Sequence, residues 1–184
     1  MPRWSNRSLV AYHGTDTGSL TTYGALGHQS LHSQLFGFSI NIAACRPNTD
    51  FGRGFYLTSY LHQARQWAND RVRRKIAANQ PVPKAVVLSF TVDRNLLASA
   101  EGLAFVLATN DYWDLVSDCR VGFTPLSRTG ANPAYDVVYG PVALWQQQLI
   151  IHDCDQVSIH TQTIANRIPA PVVHDIATNA SGLF

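Results

Sequence analysis

The order of its apolar patterns is the feature that most constrains how this chain folds. Residues 61–78 carry apolar side chains in helical spacing, after Ser59, which we predict to be the helix N-cap. Later segments have the short apolar runs typical of strands, at 85–92, 135–139, 148–152 and 156–160. Because helices come early and strands late, without regular alternation, the sequence predicts an α+β fold.

The remaining segments are less regular. Residues 9–13 predict a short buried strand that Gly14 ends, and residues 15–50 predict a long, partly helical excursion. Residues 96–116 predict one or two helices, and 125–133 predict a loop. Prolines 169 and 171 and an Asn-Ala-Ser-Gly run indicate that a domain at 1–166 is followed by a loosely ordered tail at 167–184.

Composition excludes several classes of protein. The chain has 184 residues, 46% of them hydrophobic and 14% charged, which is typical of a globular domain. Its net charge of +2 does not by itself indicate nucleic-acid binding, although a nucleic-acid partner stays open. Three cysteines without a Cys-x-x-Cys motif argue against a disulfide scaffold or a cysteine zinc site.

Targeting and metal signals are weak throughout the chain. The first residues lack the apolar run of a signal peptide, and no segment has the roughly 18 apolar residues of a membrane helix. We therefore expect a soluble protein without membrane partners, either cytoplasmic or delivered into a target cell as an effector. His28 and His32 have the spacing of two ligands on one helix face, but no third ligand is evident, so we expect no metal.

The first candidate motif is His13 followed by Gly14 and Thr15, at the end of the first predicted strand. A histidine there can donate a hydrogen bond to a ribose hydroxyl, and the bare backbone of a glycine can approach a flat amide closely. The alternative is a histidine that is satisfied within the fold before a turn. On these residues alone that alternative is favoured.

The second candidate motif is the block Asp-Phe-Gly-Arg-Gly-Phe-Tyr-Leu-Thr at 50–58, a glycine-rich turn that leads into a strand. Tyr56 follows the glycines, and Trp67 lies eleven residues later on the predicted helix. Two aromatic planes that converge on a slot would hold a nicotinamide ring by stacking. The alternative is a tight turn with two core aromatics.

The third candidate motif opens the last predicted strand. Gln156 and Ser158 share one face of this strand, while Asp155 faces the other way. A polar side chain at the start of a strand can reach the mouth of a cleft. The alternative is an ordinary edge strand.

Together these motifs resemble the His–Tyr–Glu signature of the ADP-ribosyltransferase superfamily. The block at 50–58 is similar to the Gly-Lys-Gly-Ile-Tyr-Phe-Ala segment of the poly-ADP-ribose polymerases, and Trp67 falls at the position of their second stacking aromatic. The chain also resembles the DUF3990 domain family, which has His-Gly-Ser/Thr, Asp-Phe-Gly-x-Gly-Phe-Tyr, Ala-x-x-Trp-Ala and Gly-Pro-Val/Ile-Ala segments in this order. The resemblance spans residues 9–165.

The resemblance implies a fold of two split β-sheets around an NAD-binding cleft. It implies that His13 holds the nicotinamide ribose, Gly14 the carboxamide, and Tyr56 and Trp67 the two faces of the nicotinamide. Gln156 occupies the position of the usual glutamate. The implied catalytic residues are His13, Tyr56 and Gln156, and the implied cofactor-binding residues are His13, Gly14, Thr15, Gly54, Phe55, Tyr56, Trp67 and Ser158.

The implied activity is mono-ADP-ribosyl transfer from NAD⁺, its substrate, to an acceptor that the sequence does not name. Cleavage of the nicotinamide–ribose bond passes through an oxocarbenium-like transition state, which a carboxylate stabilises and a glutamine does not. Glu101 is the single glutamate and lies in a predicted helix, so Asp155, then Asp136 and Asp153, are the other candidate acids. Two alternatives stay open: a toxin that hydrolyses NAD⁺, and an inactive module that only binds NAD⁺.

Overall fold

A computed structural model describes residues 6–20, 34–35, 37–81, 83–123 and 135–184. The predicted loop at 125–133 and the pair His28 and His32 lie outside the described residues. The described strands are β1 (Leu9–Asp16), β2 (Phe55–Leu57), β3 (Ala85–Val92), β4 (Gly102–Ala104), β5 (Val137–Leu144), β6 (Leu149–Ile159) and β7 (Val172–Ile176). The described helices are α1 (Thr17–Leu20), α2 (Leu61–Ala77), α3 (Arg94–Ser99), α4 (Asn110–Arg120) and α5 (Gln162–Ala165), with 3₁₀ turns at Ile42–Ala44 and Trp145–Gln147.

The strands form two sheets, and the α+β class is confirmed. One sheet has the order β1-β3-β7 and the other the order β2-β6-β5-β4, in which β4 is parallel to β5 and the other pairs are antiparallel. The chain divides into two compact units that interleave along the sequence. The first unit comprises Met1–Leu9, Ser39–Leu57 and Val92–Ile168, and the second comprises Val10–Phe38, Thr58–Thr91 and Pro169–Phe184.

The strand at 85–92 and the turn-to-strand passage at 50–58 are confirmed. Ser59 is not the N-cap of α2. Tyr60 takes that position without a capping side chain, and the Thr58 hydroxyl instead accepts a hydrogen bond from the Tyr60 N–H at 3.0 Å. Helix α2 therefore begins two residues after the predicted cap, and Thr58 satisfies one of the donors that precede it.

The segment 96–116 contains more than helices. Helix α3 ends at Ser99, β4 follows, and α4 begins at Asn110. Strand β4 is only three residues long and mostly exposed, so it has no apolar alternation that a sequence pattern could detect. It forms because its backbone pairs with β5, from Gly102 opposite Val137 to Ala104 opposite Tyr139.

Strands β5 and β6 are longer than predicted. Gly140 and Pro141 do not close β5, because the register shifts immediately after Pro141 and the strand continues to Leu144. A bulge at an antiparallel pair accommodates a proline, which lacks an N–H. Opposite this point β6 is a single strand in which Asp153 has a φ of 55°. The two short strands predicted at 148–152 and 156–160 are therefore one strand with a bulge.

The segment 167–184 contains β7, where we expected a loosely ordered tail. This strand pairs with β3, from Val86 opposite Ile176 to Ser89 opposite Val172. Its second residue, Val173, is completely buried. The prolines that suggested a tail precede the strand and leave its hydrogen bonds intact.

Gly14 does not end β1, which continues to Asp16. The strand crosses α2 at this glycine, where the helix presents the buried stripe that includes Ala64, Ala68 and Val72. A Cβ atom at Gly14 would lie 2.0 Å from the Ala64 carbonyl oxygen and 2.7 Å from the Ala68 nitrogen. Because both are backbone atoms of a helix, they cannot move aside, and only glycine fits.

Overpacking a well-packed core typically costs about 1–3 kcal/mol. We therefore expect Gly14→Ala to lower the free energy of unfolding by about 3 kcal/mol or more. Urea denaturation followed by circular dichroism measures the change. Gly102→Ala is the matched control, since a Cβ atom there meets its nearest neighbour at an ordinary 3.9 Å. Equal stability of the two variants would contradict this account of the packing of β1 on α2.

Candidate functional site

Tyr56, Gln156 and Ser158 lie on one face of the sheet in the first unit. Tyr56 on β2 is directly opposite Ser158 on β6, and Gln156 is two residues from Ser158 on the same strand. Residues that are paired, or two apart, point to the same face. The shared face predicted for Gln156 and Ser158 is therefore present, with Tyr56 added to it.

Gln156 does not open its strand, because β6 begins at Leu149. Its side chain is buried, with the residue only 3% exposed. The amide nitrogen donates hydrogen bonds to Asp50 Oδ2 at 2.7 Å and to the Pro141 carbonyl at 2.8 Å. Both partners are acceptors, so they fix which end of the amide is nitrogen, and the carbonyl oxygen Oε1 is the end that can accept from a ligand.

Asp50 is the carboxylate next to Gln156, and our sequence reasoning missed it. The residue is 3% exposed, and its Oδ1 accepts from Arg120 Nε at 2.8 Å and Arg120 Nη2 at 2.5 Å. The sequence signal was its position at the head of the glycine-rich block. Asp155, our first candidate acid, pairs with Pro141 and immediately precedes Gln156 on β6. Because adjacent residues of a strand point to opposite faces, Asp155 faces the other side of the sheet.

Tyr56 is fixed by its hydroxyl group. This group accepts hydrogen bonds from Thr49 Oγ1 at 2.7 Å and the Phe51 N–H at 2.9 Å, and donates to the Gly52 carbonyl at 2.9 Å. Burial raises the pKa of Tyr56 far above its ordinary value, so the hydroxyl stays neutral. The ring stacks on Phe51 with centroids 6.4 Å apart, which gives Tyr56 a role in the core of this unit.

Gly54 makes a close contact within the sheet. A Cβ atom there would lie 2.2 Å from Ser158 Oγ and 3.2 Å from His160 Cε1. The neighbouring Phe55 is buried on the opposite face. Packing between β2 and β6 therefore explains the second glycine of the block without a ligand.

His13, Gly14, Thr15 and Trp67 belong to the second unit. His13 and Trp67 are partly buried, and Thr15 is buried. Because Gly14 has no side chain, α2 packs directly against it. Close packing therefore explains this glycine, as it explains Gly54. The predicted site residues thus fall into two sets, with Gly54, Phe55, Tyr56, Gln156 and Ser158 in the first unit.

Lys75 and Arg71, near the end of α2, are engaged in ion pairs. Asp16, which is completely buried, accepts from Lys75 at 2.6 Å and from Arg71 at 3.1 Å. Burial raises the pKa of Asp16, but the hydrogen bonds from Lys75, Ser19 and Arg71 lower it overall. These cations therefore anchor the end of β1 to α2.

His160 is a further buried group that the sequence did not single out. It lies two residues after Ser158, directly after the end of β6, and is 8% exposed, with Nδ1 located 2.8 Å from the Arg53 carbonyl oxygen. Because a carbonyl only accepts, Nδ1 carries the proton of the neutral ring. Burial lowers the pKa of His160 below its usual value, although the contact with Arg53 opposes the shift.

Among the described residues, no group of three histidines, cysteines or acids is arranged to hold a metal ion. Cys45, Cys119 and Cys154 are all free thiols. No helix in the described part of the chain is long and apolar enough to cross a membrane.

The amino-acid sequence of the chain matches a protein family. The match covers residues 33–170 and is to the family described as "Protein of unknown function (DUF3990)". The chain belongs to this DUF3990 family, as its motifs suggested. Neither the curated proteins nor the solved structures give a significant match.

Substitution of Gln156 by glutamate tests the buried network. Gln156→Glu replaces a donating nitrogen with an oxygen that faces the Asp50 carboxylate. We expect it to lower the free energy of unfolding by about 1–3 kcal/mol, the usual cost of leaving buried polar groups unsatisfied. The loss should grow as pH rises and the new carboxyl ionises.

Urea denaturation at pH 5 and pH 8, each compared with the unsubstituted protein, measures this effect. Gln156→Met is the control, since it removes the donor without adding charge. Combining Gln156→Glu with Asp50→Asn restores a donor–acceptor pair and should recover part of the stability. A Gln156→Glu protein of unchanged stability at pH 8 would show that this amide does not bond to Asp50.

His160 predicts a pH dependence of stability. Its folded pKa lies below the unfolded value of 6.5, so the unfolded chain binds a proton first. The free energy of unfolding therefore has its full value above pH 6.5. It decreases as the pH falls from there to the folded pKa, by no more than about 1.4 kcal/mol per pH unit. His160→Gln should flatten the stability profile in this range, and the exposed His152→Gln should not. Parallel profiles for all three proteins would rule His160 out.

Proposed function

We propose that this protein binds NAD⁺ and transfers its ADP-ribose group to an acceptor. In this reaction the bond between ribose C1′ and the nicotinamide nitrogen breaks, and its electron pair leaves with nicotinamide. An acceptor nucleophile forms the new bond to C1′ and loses a proton. The acceptor is a protein, a nucleic acid or a small molecule.

The observation that carries the proposal is the placement of Tyr56 and Gln156 on one sheet face. In the superfamily that the motifs resemble, a tyrosine and a polar residue on a late strand work together. Here they lie on the paired strands β2 and β6, where Tyr56 is opposite Ser158 and Gln156 is two residues from Ser158. Their order in the sequence and their shared face support the same assignment.

Gln156 has the geometry of an orienting group rather than a charged one. The hydrogen bonds from its amide nitrogen to Asp50 and Pro141 hold the side chain in one rotamer, so the direction of Oε1 is fixed. Hydrogen bonding of the nitrogen to a carboxylate also polarises the amide and makes Oε1 a stronger acceptor. In the proposed reaction Oε1 accepts from a ribose hydroxyl and aligns the sugar.

One observation favours the second candidate, an inactive module that binds NAD⁺ without cleaving it. The Asp50 carboxylate, which is the negative charge closest to Gln156 among the contacts described, is already paired with Arg120. A charge that is neutralised in this way contributes little to stabilising an oxocarbenium ion. Hydrolysis of NAD⁺, the third candidate, differs from transfer only in having water as the acceptor.

Nicotinamide release from labelled NAD⁺, with and without cell lysate, separates the three candidates. Transfer predicts release with label retained on an acceptor, hydrolysis predicts release with free ADP-ribose, and the inactive module predicts binding without release. We expect His13→Ala to abolish release and leave the circular dichroism spectrum unchanged. Full activity of a folded His13→Ala protein would refute the proposed site.

Trp67 provides an independent test of NAD⁺ binding. If its ring stacks on nicotinamide, Trp67→Ala should weaken binding by about 1–3 kcal/mol, in the range for loss of an aromatic stacking partner. Calorimetric titration with NAD⁺ measures the change, and Trp67→Phe is the control, since it retains an aromatic ring. Unchanged NAD⁺ affinity of Trp67→Ala would place this ring outside the site, and loss of its fold would make Trp67 a core residue.

A further inference from the structure

Two buried polar atoms, one on β6 and one on the residue directly after it, make no hydrogen bond of good geometry with the described residues. They are the Ser158 hydroxyl oxygen and His160 Nε2. Ser158 is completely buried and His160 is 8% exposed. Buried polar atoms in folded proteins nearly always have a partner, so these two indicate a bound group.

The two atoms border the same point in the sheet. Ser158 lies on β6, and His160 directly follows the last residue of that strand. A Cβ atom at Gly54 would lie 2.2 Å from Ser158 Oγ and 3.2 Å from His160 Cε1, the ring carbon between Nδ1 and Nε2. Burial raises the pKa of Tyr56, and the Ser158 side chain, which lies within hydrogen-bonding range of the Tyr56 hydroxyl, opposes that shift. The polar atoms thus form a cluster beside the glycine.

The ring of His160 defines what this cluster can bind. Because Nδ1 donates its proton to the Arg53 carbonyl, Nε2 of the neutral ring carries a lone pair and only accepts. The Ser158 hydroxyl can donate and accept. A phosphate or carboxylate would meet the Nε2 lone pair, and one nitrogen with one hydroxyl is too small a ligand set for a metal ion. The complementary partner is a neutral O–H group.

We propose that Ser158 and His160 form a buried site for one water molecule. The water donates a hydrogen bond to His160 Nε2 and accepts one from the Ser158 hydroxyl. Water is favoured over the hydroxyl of a larger ligand because both protein atoms are buried to less than 1 Å² of exposed area. The site links the glycine-rich turn, through the Arg53 carbonyl, to β6, and it does not depend on NAD⁺ chemistry.

Nuclear magnetic resonance of protein with ¹⁵N-labelled histidine tests the proposal at pH 7.5. We expect His160 to be the tautomer protonated at Nδ1, with the Nε2 resonance displaced from the bare-nitrogen position toward the hydrogen-bonded one. We also expect a nuclear Overhauser effect between solvent water and the Hε1 proton of this ring. Ser158→Ala should shift the Nε2 resonance of His160 and leave that of the exposed His152 unchanged.

A second arm adds NAD⁺ or ADP-ribose and separates the two sources of an O–H group. A displaced Nε2 resonance and a water signal in the ligand-free protein support the water site. Displacement only after a ligand is added overturns water as the occupant and assigns the site to a ligand hydroxyl. A proton on Nε2, or a bare Nε2 resonance under all conditions, overturns the site altogether. If Ser158→Ala does not fold, Ser158→Cys and the spectra of the unsubstituted protein still decide.

Discussion

The carboxylate of Asp50 is the group on which the first unit depends. From one buried position it accepts two hydrogen bonds from Arg120 at the end of α4 and one from Gln156 on β6. A buried carboxylate is costly unless its charge is compensated and its oxygens are satisfied, so these partners must stay in place together. The glycine-rich turn, a helix and the central strand of the sheet therefore have their relative positions set by one side chain, which is why Asp50 begins the block.

Much of the secondary structure could be predicted because its signals are local. The strand at 85–92 and the stripe of α2 follow from apolar periodicity, which a single segment carries. Strand β4 could not be found in this way, because pairing with β5 forms it and its own side chains contribute little. The division of β6 into two predicted strands had the opposite cause. A bulge around Asp153 interrupts the alternation of side chains, although the strand continues.

The candidate site was predictable in its members on β2 and β6, but not in their surroundings. Alternation along a strand correctly placed Gln156 and Ser158 on one face. It did not predict that Gln156 is buried or that its partner is Asp50, because residues 106 positions apart meet only through the topology of the sheet. His160 was missed for a related reason. A histidine at the end of a strand has no sequence signal until the Arg53 carbonyl and the burial of the ring define its protonation.

The contact between Gly14 and α2 has a consequence for the comparison of relatives. Where the backbone of α2 touches the backbone of β1, only glycine fits, whatever ligand the protein binds. Selection for folding alone is then sufficient to preserve Gly14, even in a relative that no longer binds its ligand. The presence of this glycine in a relative therefore indicates a shared fold and common descent, and not the binding of a ligand. The informative substitutions across this family are those at positions such as 13 and 67, where the side chain is only partly buried.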